Sequence, residues 1–208
     1  TPPVLTDLGP RPAPNSPAVV EFSQQLRYQN QQLFLWWLDE MATSPHTLQE
    51  KMTWFWHGHW ATSIGKVNYA LPMFNQNVTM RKYALGNFKD FAKAMFSDGA
   101  LQVWLDGQEN TVKAPNENFS REMMELFTLG VNRYTETDVK ELARAFTGYQ
   151  VSRSSGVVTF NARRRDSASV TVLGKSGVMS PEEVIDHLVS QENSSLFVAE
   201  RIWYRFVS

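Results

Sequence analysis

The chain has 208 residues, 42% hydrophobic and 20% charged, with 20 Lys plus Arg against 21 Asp plus Glu and no cysteine. That balance supports a buried core and excludes a disulfide scaffold, a thiolate metal site and a Cys nucleophile. A net charge of -1 lacks the broad basic field of non-specific nucleic-acid binding, and no apolar run reaches the roughly 18 residues of a membrane span.

Six of the ten prolines fall in residues 1–17. Proline at that density cannot build a helix interior or a strand ladder, so an extended arm is expected there. The arm has neither the charged start nor the apolar stretch of a signal peptide. From Pro17 to about Met41 the spacing of Leu33, Phe34, Trp37, Leu38 and Met41 predicts a helix with that face buried. Ser44-Pro45 predicts a new start, with Ser as N-cap and Pro in the first turn. Its apolar stripe is Leu48, Met52, Phe55, Trp56, His59 and Trp60. Four tryptophans lie between Trp36 and Trp56. They predict a rich core or an aromatic-lined groove.

Residues 76–105 read as two further helices, with breaks near Gly86-Asn87 and Ser97-Asp98-Gly99. Another helix is expected from Asn116 or Asn118 to Gly130. Thr135 with Asp138 resembles a capping box, opening a helix that ends at Gly148. The texture then changes. Val151, Val157, Val158, Phe160, Val170 and Val172 predict two or three short antiparallel strands within 149–174. Ser180, Pro181 and Glu183 open another helix. The expected fold is mainly α (α+β), one helical domain over 18–208 with a small β insert. The helical period runs to the last residue without a stop signal, which predicts a fragment of a longer protein.

Three stretches together are distinctive: LQEKMTWFWHGHWATS at 48–63, APNENFSREMMELFTLG at 114–130 and YTETDVKELARAFTGYQV at 134–151. From about Trp36 to Ser208 the chain resembles the bacterial protein-of-unknown-function family 1800, whose members are mostly exported. The resemblance implies a longer parent protein and a periplasmic or secreted location. It brings no established reaction. Relatives often carry His-Asp where this chain has Arg165-Asp166, and some carry His where it has Phe127.

The chemistry must come from the residues. His57 and His59 can share one metal only if the backbone is extended; on a helix they lie about 200° apart. A break at Gly58 would allow the first arrangement. Each His can equally serve as a hydrogen-bonded structural group. On a regular helix Asn118, Glu122 and Glu125 fall within about 60° of one another, with Arg121 beside them. Glu122 and Glu125 can supply two carboxylates to a metal, or an acid and a base. They can also form a solvated face that complements the helix dipole. Asn118 can cap its helix, and Arg121 can pair with Glu125 or bind an anionic ligand. Arg163 and Arg165 would share a face of a strand, beside Asp166, and could hold acidic groups or simply protect an edge.

Two functions are therefore expected as alternatives. The first is an exported, metal-assisted hydrolase using His57 or His59 with Glu122 and Glu125, its cofactor a divalent metal. The second is a non-catalytic module that binds glycan or an envelope protein through an aromatic face.

Overall fold

The computed structural model describes residues 1–207. The helices in chain order are α1 (Ala18–Thr43), α2 (Thr47–His59), α3 (Ile64–Val67), α4 (Ala70–Tyr83), α5 (Phe88–Phe96) and α6 (Gly99–Trp104), followed by α7 (Glu117–Glu122), α8 (Glu136–Ala145), α9 (Pro181–Val189) and α10 (Glu192–Phe206). The strands are β1 (Tyr149–Val151), β2 (Val158–Phe160), β3 (Val170–Val172) and β4 (Lys175–Gly177). This is the mainly α architecture with a small antiparallel β insert that the sequence predicts. The insert holds four short strands, paired β1 with β2 and β3 with β4 in separate sheets, and it extends to Gly177. The chain divides into two compact units. One comprises Thr1–Gly86, Ser97–Trp104 and Val151–Val158; the other comprises Asn87–Phe96, Leu105–Gln150 and Thr159 onward.

In the first unit residues 1–17 form no helix or strand. The arm is pinned to α1 by Gln29, whose amide donates to Thr6 Oγ1 at 2.9 Å and accepts from Thr6 N at 3.3 Å. The buried positions of α1 are Phe22, Gln29 and Trp36. Phe34 is 62% exposed and Leu38 is also exposed, so the predicted face is displaced toward Trp36. The cause is tertiary. Trp36 packs edge-on against Phe74 of α4 (5.1 Å between centroids), and that contact selects the buried side. Helix α2 starts two residues after the predicted Ser-Pro signal. Ser44 N donates to Glu40 O and closes α1, while its hydroxyl accepts from His46 N (3.2 Å). Ser44 therefore ends one helix and does not open the next. Helix α4 packs against α1, α2, α3 and α6. Gly99, at the start of α6, meets the backbone of Gly156, where any side chain would collide.

The second unit is built on α5, α7, α8, α9 and α10. Phe96, Phe119 and Phe146 cluster in its core with centroids 4.6–5.8 Å apart, Phe96 stacked on Phe119 and Phe146 tilted against both. Both predicted capping boxes are present, Thr135 with Asp138 and Ser180 with Glu183, the latter with Pro181 opening the helix. β3 and β4 pair with Val170 opposite Gly177 and Val172 opposite Lys175. Leu173 and Gly174 both take positive φ, as a tight hairpin requires. Val170 and Val172 face inward and Thr171 outward.

Candidate functional site

The helix of the second distinctive stretch begins at Asn116. Its side chain accepts from Asn118 N at 3.0 Å, so the cap falls on Asn116. Asn118 is the second residue of the helix, and its side-chain amide donates to Leu105 O at 3.1 Å. Asn116 Nδ2 reaches Asp106 O, and Asn110 Oδ1 accepts from Asn116 N. Asn118 is thus part of an asparagine clamp that fixes the entry to α7.

After Glu122 the helix changes pitch. Met123–Thr128 is a π-helix, in which Leu129 N donates to Met124 O at 2.8 Å and Thr128 Oγ1 to Met123 O at 2.6 Å. The widened turn shifts every later side chain from the angle that 100° per residue predicts. The turn ends at Gly130, whose φ of 87° leaves its Cα side against the Phe197 ring.

Glu122 and Glu125 flank this transition, both half-buried. They are close enough to sense each other. Burial pushes the Glu122 carboxyl up from its ordinary range, the Glu125 charge pushes it further, and Arg121 pulls the other way. Glu125 accepts a hydrogen bond from the Tyr134 hydroxyl. Burial and that carboxylate push Tyr134 up to about 12, so the phenol keeps its proton and remains a donor. Tyr134 stands nine residues beyond Glu125, past the turn at Gly130, and no periodicity in the sequence links the two. Arg121 is engaged elsewhere. Its guanidinium grips Glu136 with both arms (2.7 and 2.8 Å) and touches Glu117 (3.2 Å). The Glu136 bond holds Arg121 firmly cationic. The expected Arg121–Glu125 pair is replaced by this fork, because bidentate geometry fixes a guanidinium better than one i,i+4 contact.

His57 and His59 lie in the first unit. Helix α2 runs unbroken through Gly58 to His59, so the two rings leave different sides of the helix. His57 meets Trp37 edge-on at 4.9 Å and stacks with Trp54 at 6.2 Å. Burial lowers its pKa, which favours the neutral ring. His59 is buried among Phe55, Trp56 and Trp60, as the apolar stripe predicts.

Arg163 and Arg165 are not strand neighbours. Ala162–Arg164 is a 3-10 turn, and Arg165 follows it in extended backbone. Arg163 is exposed. Arg165 donates to the carbonyls of Ala145 and Met179, capping the end of α8 where the helix dipole favours a cation. Asp166 accepts from Arg144 Nε at 2.8 Å, and that bond holds its pKa low. The third distinctive stretch has a similar use. Asp138 accepts from Leu173 N (2.7 Å) and Glu141 from Thr171 N (3.0 Å), so one face of α8 carries the β3–β4 hairpin. The i, i+3 spacing of Asp138, Glu141 and Arg144 was the signal available for that face.

A model for the family described as protein of unknown function, DUF1800, matches residues 9–208. The chain belongs to the DUF1800 family. No curated protein and no solved structure matches it. Within this DUF1800 chain, no group of three or more His, Asp or Glu side chains is arranged to hold a metal ion among the described residues. No helix among them is long and apolar enough to cross a membrane. The distinctive stretches at 48–63 and 114–130 thus supply the asparagine clamp, the π-turn and the acidic pair in the second unit, and the aromatic-flanked histidines in the first.

Proposed function

We propose that this DUF1800 chain carries a hydrolytic acid–base site in its second unit, with Glu122 as the proton-transferring group. The observation that carries the reading is the pair of half-buried carboxylates at a π-turn. One is raised by burial and by its neighbour; the other is held by a tyrosine. A raised carboxyl lies nearer neutral pH, where proton transfer is most efficient. Glu122 would take a proton from the attacking water and return it to the leaving group. Glu125 and Tyr134 would hold a second oxygen-rich contact beside it. Arg121, anchored by Glu136, would fix the helix and its local field.

A metal-assisted form of the same reading adds a divalent cation on the two carboxylates. Neutral His57 suits a metal-ligand role chemically, but its ring is already set between two indoles. The site proposed therefore rests on the second unit alone. We also propose an exported location for the parent protein, on the family resemblance, which cell fractionation would test.

The test is turnover of p-nitrophenyl esters, phosphates and glycosides, before and after loading with Zn, Mn or Ca. Glu122→Gln is expected to lower the rate on whichever substrate turns over by about 100-fold or more. Tyr134→Phe is expected to shift the pH profile. A full rate in Glu122→Gln, or no turnover by the loaded wild type, overturns the reading.

A second reading, a glycan-binding module, is favoured by Trp54. The residue is 47% exposed, and its ring is backed by Trp37 at 5.6 Å and His57. Such a platform suits the apolar face of a sugar. Binding to a glycan array that is lost in Trp54→Ala and kept in Glu122→Gln would support it; binding kept in Trp54→Ala would count against it.

A further inference from the structure

The first unit contains a cavity of about 550 Å³, and none of the candidate site residues lines it. The volume falls within the range of small-molecule sites. Its floor is apolar: Phe22 and Leu26 from α1, Val67 from α3, and Tyr69, whose ring meets Phe22 edge-on at 6.2 Å. Its rim carries Arg11 from the N-terminal arm and Arg153 from the turn between β1 and β2. Neither guanidinium has an ion-pair or hydrogen-bond partner among the described residues, unlike Arg81, Arg121, Arg144 and Arg165.

The walls are held by contacts that leave the rim cations open. Tyr69 donates from its hydroxyl to Gly9 O at 3.2 Å and ties the arm in place. The Asp7 carboxylate accepts from Ser154, which lines the cavity, and from Gly9 N, and those bonds hold its pKa low. It braces the arm against the turn without pairing to either arginine. Asn68, in left-handed backbone at φ 70°, presents its loop at the same mouth.

We infer that this cavity binds a small organic anion, with an oxyanion head between Arg11 and Arg153 and an apolar body on Phe22, Leu26 and Tyr69. Two guanidiniums match a carboxylate or phosphate by charge and by planar donor geometry. An apolar floor below a cationic rim favours an amphipathic anion over a bare inorganic ion. The inference concerns the first unit and stands or falls independently of the Glu122 reading.

The experiment is a fluorescence titration of the full chain with 1-anilinonaphthalene-8-sulfonate, an anionic aromatic probe. Nile red serves as the neutral control. Octanoate, octyl phosphate and inorganic phosphate serve as competitors. Saturable one-site binding is expected, displaced by octanoate or octyl phosphate. The stronger of the two identifies the head group. Arg11→Gln/Arg153→Gln should weaken the anionic probe by about tenfold or more, since two charge-assisted contacts are lost, and leave Nile red unchanged. Leu26→Trp, which fills the floor, should weaken it without touching the rim, with circular dichroism confirming that each variant folds. Equal affinity in wild type and the double arginine variant would overturn the inference. So would displacement by inorganic phosphate as strong as by octyl phosphate.

Discussion

Replacing Glu50 by leucine strands the Arg81 guanidinium inside the first unit. Glu50 is 4% exposed and is bonded to Arg81 Nη1; the Arg81 side chain is 17% exposed. Breaking a buried pair on one side costs about 3–5 kcal/mol, because the remaining charge stays desolvated. In Glu50→Leu the cation keeps two supports, Asn77 Oδ1 at 2.6 Å and the Trp36 ring at 5.1 Å. The cost should therefore fall near the low end, about 3 kcal/mol. Arg81→Met removes those supports together with the charge and should fall near the high end, about 4–5 kcal/mol. The double variant Glu50→Leu/Arg81→Met leaves no buried charge. It should cost about 0–2 kcal/mol, since apolar replacement of a buried ion pair is often close to neutral. The coupling between the sites is then about 5 kcal/mol or more. Urea unfolding followed by tryptophan fluorescence reads this directly, because six of the seven tryptophans lie in the first unit. A loss of 3 kcal/mol moves the midpoint by about 1 M or more. A double variant whose cost equals the sum of the singles would refute the argument that charge pairing, rather than two separate packing contacts, holds α2 against α4.

Gly99→Ala places a Cβ 2.1 Å from Gly156 O and 2.6 Å from its carbonyl carbon, both backbone atoms that cannot rotate away. A loss of about 1–3 kcal/mol is expected by thermal melting, despite the gain of about 1 kcal/mol in helix propensity; a higher Tm would contradict it. Thr135→Ala removes the acceptor for Asp138 N and should cost about 1 kcal/mol, measurable by urea unfolding followed by far-UV circular dichroism. Burial raises Asp98 from 3.8 to about 7, against the bonds from Leu101 N and Gln76. Its folded pKa exceeds its unfolded one. Its contribution is therefore complete below about pH 4 and is lost as pH rises toward about 7. Asp98→Asn, which keeps the cap acceptor, should flatten stability over that window; an unchanged pH slope would refute the assignment.

Local chemistry made much of this fold legible. The capping boxes at Thr135 and Ser180 and the breaks at Gly86 and Asp98 are decided within a few residues, so sequence alone marks them. The buried side of α1 is not decided locally. Phe34 and Leu38 are apolar enough to be buried, but Phe74 and Arg81 of α4 meet Trp36 instead. The Glu50–Arg81 pair spans 31 residues and leaves no periodic trace. At the candidate site, Glu122 and Glu125 were visible as neighbours. Tyr134 was not, because it arrives after a turn, and neither was the π-turn, whose i→i+5 bonds leave the apolar pattern of the helix almost intact. The arginine run misled for a different reason. Its residues are strand-like in company, but Asn161 caps a 3-10 turn there through its side chain, accepting from Arg163 N at 3.1 Å.

The division of the chain has a consequence for its synthesis. The first unit takes its last piece, Val151–Val158, from far down the sequence, and Gly156 in that piece closes against Gly99 and Pro72. A ribosome delivers residues in order, so α1 to α4 emerge and wait through the whole of α5, α7 and α8 before their closing turn exists. During that interval the tryptophan-rich surfaces of a half-built unit are open to solvent and to other nascent chains. The first unit cannot close until that eight-residue segment has emerged, so chaperone demand should fall on nascent chains that have not yet exposed it.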